Sequence, residues 1–91
     1  MIDQGPSPTV ATAAQLLRRV RRVIAGYEGG EPMVHAYRLI RAVAGDRATE
    51  ILAVTALVAS AGMERLQQLR DHAGHAEVVQ LLDSAITTLM S

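Results

Sequence analysis

The chain has 91 residues, no cysteine and a formal net charge of zero, which excludes disulfides and thiolate metal sites and removes any overall field for nucleic acid or membrane. Its apolar share is 49%, the upper end for a globular domain. A chain this short buries only about 60–65% of its unfolded surface, so oligomerisation is the expected supplement to a thin core.

All nine cationic residues are arginine. With the abundant alanine this is the composition of a GC-rich coding genome, bacterial or phage, and the absence of lysine excludes Schiff-base chemistry. The start, Met1-Ile2-Asp3-Gln4-Gly5-Pro6-Ser7-Pro8, lacks the basic and apolar regions of a signal peptide. A cytoplasmic, soluble protein is expected.

Residues 1–6 read as a flexible lead-in, and residues 7–91 as a single helical domain. Ser7 followed by Pro8 is a helix start, a hydroxyl cap before proline. From there Val10, Ala13, Leu17, Val20, Ile24 and Tyr27 form one apolar seam, widened by Leu16 and Val23. The first helix is expected over about 8–26, and Glu28-Gly29-Gly30-Glu31 as a loop. Pro32 opens a second helix with Met33, Tyr37, Ile40 and Val43 on one stripe. Gly45 reads as its left-handed terminator, and Asp46 as the cap of the next helix.

That next helix, about 47–61, contains Ile51–Ala61, reading ILAVTALVASA. The run carries no charge, Gly or Pro, so the helix must be wrapped by its neighbours or by a second copy of the chain. It is far shorter than the ~20 residues that span a bilayer. Gly62 ends or bends it, and a fourth helix from Met63 turns Leu66, Leu69 and Ala73 inward. The phase breaks at Asp71-His72-Ala73-Gly74-His75 and resumes with Val79, Leu82, Ile86 and Leu89. A break at Gly74 and a fifth helix over about 76–90 are expected, one bent helix being the alternative. Joints of one or two residues between these helices predict an all-α, compact four- or five-helix bundle.

Arg18, Arg19, Arg21 and Arg22 sit opposite the seam of the first helix. They form a solvated face, a docking face for an acidic protein patch, or phosphate contacts to nucleic acid. No aromatic residues interleave to stack on bases. A helix-turn-helix is rejected, because its second helix would present the apolar run to base edges.

His72 and His75 are three apart and would share a helix face as metal ligands only if the helix ran through Gly74. A third ligand would have to come from a distant residue, so they are weak candidates, and neither metal nor cofactor is expected. Gly26, Gly29 and Gly30 match no nucleotide-binding spacing. No Ser/His/Asp arrangement points to a catalytic site.

Thr49, Ala53, Ala56 and Ser60 fall on one narrow line of the apolar helix. Such small residues either admit a second copy at close range, forming a self-association ridge, or line the solvent side as good helix formers. The bulky arc beside them is expected to face the chain's own helices. The leading reading is a non-enzymatic interaction module, an adaptor, regulator or assembly subunit that self-associates. The alternatives are a nucleic-acid-associated regulator using the arginine cluster, and a metal or small-ligand binder at His72 and His75.

Overall fold

The computed structural model describes residues 8–72 and 74–91. Five α-helices follow one another: α1 (Pro8–Ala25), α2 (Pro32–Val43), α3 (Arg47–Ala61), α4 (Met63–His72) and α5 (His75–Met90). The all-α bundle expected from the sequence is the observed fold, with α4 and α5 as separate helices. Residues 1–6, the Ser7 cap and the inward placement of Ala73 lie outside the described residues. Among the described residues, no helix is long and apolar enough to cross a membrane.

The seam of α1 becomes the floor of the core, burying Ala13, Ala14, Leu16, Leu17, Val20 and Ile24. Its most extensive packing is on α5, with further contacts to α3 and α2. The α1–α5 pair is antiparallel: Arg21 meets Asp83, and Tyr27, just past the end of α1, meets His75 at the start of α5. Met33, Ala36 and Ile40 of α2 join the same cluster, with Leu66 and Leu69 of α4 and Val78, Leu81, Leu82 and Ala85 of α5. Each fully buried Leu, Ile, Val or Met contributes about 1.5–3 kcal/mol relative to exposure. Val23, placed on the seam by its spacing, is instead 46% exposed at the flank of the stripe.

Helix ends follow from local chemistry. Turn-type bonds from Gly26 N–H to the Val23 carbonyl (3.2 Å) and from Tyr27 N–H to the Ile24 carbonyl (3.0 Å) tighten the end of α1. Tyr27 then folds over the loop, its hydroxyl donating to the Gly30 carbonyl at 2.9 Å. A Cβ at Gly29 would meet that ring, so a side chain there would displace Tyr27 from this position. Pro32 starts α2 with its φ already helical. Gly45 is not the left-handed terminator expected: Ala44, in extended geometry, ends α2 and donates its N–H to the Ile40 carbonyl. Among the described residues, positive φ occurs at Glu31 (55°) and Gly62 (83°). The second of these turns the chain sharply between α3 and α4 without the penalty a side chain would bring.

Asp46 caps α3, its carboxylate accepting from the Thr49 backbone N–H at 2.7 Å. That hydrogen bond stabilises the charged form and holds the Asp46 carboxyl below its ordinary range. A depressed carboxyl contributes stability above its unfolded-state pKa, and the contribution disappears as pH falls through the folded-state value. Asp46→Ala is therefore expected to lower the melting temperature at about pH 7, and the gap to wild type should close in acid near about pH 2. Thermal denaturation followed by circular dichroism across that range checks it. A gap that persists undiminished in acid would show that the cap does not act through its charge. At α5, Gly74 N–H donates to the Glu77 carboxylate at 3.2 Å, which holds the break between α4 and α5 in place.

Candidate functional site

Four sets of residues could carry function, and the structure treats each differently. Arg18, Arg19 and Arg22 are exposed on α1, and among the described residues none of them forms an ion pair. Arg21 departs from the face assigned to it by spacing. Its Nε donates to Asp83 Oδ1 at 2.6 Å, tying α1 to α5. The free basic face is therefore three arginines wide, with Val23 beside them. Arg21 cannot lie opposite the seam because the antiparallel α5 brings Asp83 alongside it.

The ridge of Thr49, Ala53, Ala56 and Ser60 is oriented against expectation. Thr49, Ala53 and Ala56 are buried, and Ser60 Oγ lies 3.1 Å from Thr88 Oγ1 of α5. The ridge faces the chain's own α1 and α5, so it is neither a solvent side nor a surface free for a second copy. The reason is steric: α3 packs on two helices at once, and small side chains let their backbones approach. Of the bulky arc expected to face the chain's own helices, Leu57 is fully buried and Leu52, Val54 and Val58 pack against the edge of the core, while Ile51 is turned outward. Ile51 is 55% exposed, Leu52, Val54 and Val58 are half-buried, and Thr55 and Ala59 are exposed. Met63, at the start of α4, is 68% exposed.

The two candidate metal histidines are separated by the helix break. His72 is exposed at the end of α4, where it lines a notch with Arg65, Gln68, Leu69 and Glu77. His75 opens α5 and packs beside Tyr27, its ring centroid 5.8 Å from that of the tyrosine. The face that an unbroken helix would have given them does not exist. Among the described residues, no group of three His, Asp or Glu side chains is gathered to hold a metal ion.

His35 of α2 stacks on the other part of the cluster, 4.1 Å from the Tyr27 ring at an interplanar angle of 18°. Tyr27, His35 and His75 thus form a small aromatic knot joining the α1–α2 loop, α2 and α5. His75 Nε2 is buried there with no hydrogen-bond partner among the described residues. Stacking and ring-edge contacts of this kind pin the loop against the bundle. Nothing in the spacing of these residues signals the knot, because Tyr27 reads as the last member of the helix-1 seam.

A fourth set escaped sequence reasoning entirely. Arg38 and Arg41 of α2 and Arg70 of α4 line one cavity of ≈610 Å³ with Tyr37, Val34, Glu31 and Asp71. The three arginines are up to thirty-two positions apart, from 38 to 70, so only the docking of α4 on α2 unites them. Tyr37 is half-buried, and that burial raises its phenol pKa while the Arg70 charge acts in the opposite direction. No protein-family model matches the chain, and no curated protein or solved structure is significantly similar to it.

Proposed function

We propose that the chain is a small helical interaction module that self-associates through the outer face of α3. The observation that carries this reading is Ile51, 55% exposed on a helix with no charged side chain from 51 to 61. Leu52, Val54 and Val58 flank it half-buried. Water around such a face is displaced favourably, at about 25 cal/mol per Å² of apolar surface covered. A partner for it must be apolar and uncharged where they touch, and a second copy of the same face meets that requirement. A twofold arrangement would place each Ile51 region against its equivalent and close the assembly at a dimer.

Sedimentation equilibrium of the full chain tests the reading. Wild type is expected to show a concentration-dependent dimer, and Ile51→Arg a monomer with the wild-type circular dichroism spectrum. A guanidinium left unpaired in an apolar interface costs several kcal/mol, which weakens the dimer by at least about 100-fold. A wild-type monomer that persists at high micromolar concentration removes the reading.

The exposed Arg18, Arg19 and Arg22 support a second docking surface, for an acidic patch on another protein. Their number favours that partner over nucleic acid, since Arg21 is engaged by Asp83 and few phosphates could be neutralised. Replacing the three by Gln should leave the dimer intact while abolishing any salt-sensitive binding to acidic partners. Binding to short duplex DNA at low salt, lost in the same variant, would restore the nucleic-acid alternative.

A further inference from the structure

We propose that the groove between α2 and α4 is a binding site for a small, hydroxyl-bearing phosphate ester. It rests on a different part of the molecule from the α3 face and is independent of self-association. Three guanidinium groups from two helices line one concavity of ≈610 Å³, within the ~300–1,000 Å³ typical of small-molecule sites. Among the described residues, neither Arg38 nor Arg70 has a carboxylate within ion-pair distance. Arg41 has one, Glu50, but at 4.0 Å and with the arginine side chain 83% exposed. The basic groups of the groove are thus left available to an outside anion.

The lining indicates which anion. A phosphate monoester has three terminal oxygens and close to two negative charges, and guanidinium forks pair with such oxygens in bidentate fashion. A carboxylate, with one charge and two oxygens, is satisfied by a single arginine and leaves the others unmatched. Tyr37, on the same lining, adds a phenol that is protonated at neutral pH and able to donate. Glu31 and Asp71, on the same lining, are acceptors only, and they repel a ligand that is anionic along its whole length. They suit a molecule whose other end carries hydroxyl donors. That mixed lining separates a sugar-phosphate type of ligand from a nucleic-acid backbone, whose charge would run past both carboxylates.

Isothermal titration calorimetry of the full chain with ribose 5-phosphate at low salt tests the proposal. A saturable single site is expected for ribose 5-phosphate, with ribose giving no heat and inorganic phosphate binding more weakly. The double variant Arg38→Gln/Arg70→Gln should weaken binding by at least about tenfold. Its fold should be intact, since both side chains are exposed, and a wild-type melting curve verifies that. Arg18→Gln/Arg19→Gln, which removes the same charge from α1 outside the groove lining, should leave the affinity unchanged.

No saturable binding up to about 10 mM overturns the proposal, that being the weak limit of a specific small-molecule site. Equal loss in the α1 variant overturns it as well, by reducing the effect to net charge. Inorganic phosphate binding as tightly as ribose 5-phosphate overturns the role given to Glu31 and Asp71. Competition by short duplex DNA, abolished in Arg38→Gln/Arg70→Gln, would assign the groove to a polyanion instead.

Discussion

Leu57→Asp is expected to leave the chain without a cooperative thermal transition. Leu57 is fully buried in the central cluster, and α3 reaches α1 and α5 through it and its small neighbours. A carboxylate at that site must ionise without a partner or take up a proton, and either costs several kcal/mol. Domains of this size hold only about 5 kcal/mol or so in total, so the loss exceeds the margin. Leu57→Ala provides the graded comparison, with an expected destabilisation of about 2–5 kcal/mol from lost burial and the cavity left behind. Circular dichroism during heating, with gel filtration for aggregation, reads both. A cooperative melt for Leu57→Asp within a few degrees of wild type would remove Leu57 from the core.

The second large effect concerns the ridge. Ala53→Leu is expected to lower stability by about 1–3 kcal/mol, because three added carbons have no space against α1 and α5. For a domain of roughly this length that corresponds to a drop on the order of 10 °C in melting temperature. Ala53 is fully buried, whereas Ala59 on the same helix is exposed, so Ala59→Leu should be close to neutral. The contrast between the two leucine variants is the informative measurement. Equal stability for both would turn α3 over and return the ridge to solvent or to a partner.

The same contrast explains how far the sequence could be read. On α1, apolar residues recur at helical spacing against arginines and glutamine, so the pattern names the buried face, and Leu17, Val20 and Ile24 are indeed buried. Helix boundaries were equally legible, because Pro8, Pro32, Asp46, Gly62 and Gly74 act through local backbone chemistry. On α3 the pattern has no polar side to exclude. When every face is apolar, periodicity cannot choose among them, and packing distance decides. Small residues turned inward because two helices had to come close, and Ile51 was left outside.

The candidate sites divide along the same line. The arginine run of α1 is a sequence feature, yet the pairing of one of its members to Asp83, while the other three have no ion pair among the described residues, depends on α5 lying antiparallel to α1. The pairing of His72 with His75 required an unbroken helix, and the local break at Gly74 puts them on two different helices. The groove of Arg38, Arg41 and Arg70, and the knot of Tyr27, His35 and His75, have no sequence signal at all. They are contacts between elements far apart along the chain, and no local spacing encodes which helices will neighbour one another.

The sequence by itself therefore determined the all-α class, the positions of the helices and the buried stripe of α1. Each of these follows from propensity, capping and periodicity within a few residues. The tertiary structure alone decided which side of the apolar helix is covered, which arginines remain free and which charges meet across helices. Those outcomes depend on long-range packing, where side-chain volume and helix direction outweigh local pattern.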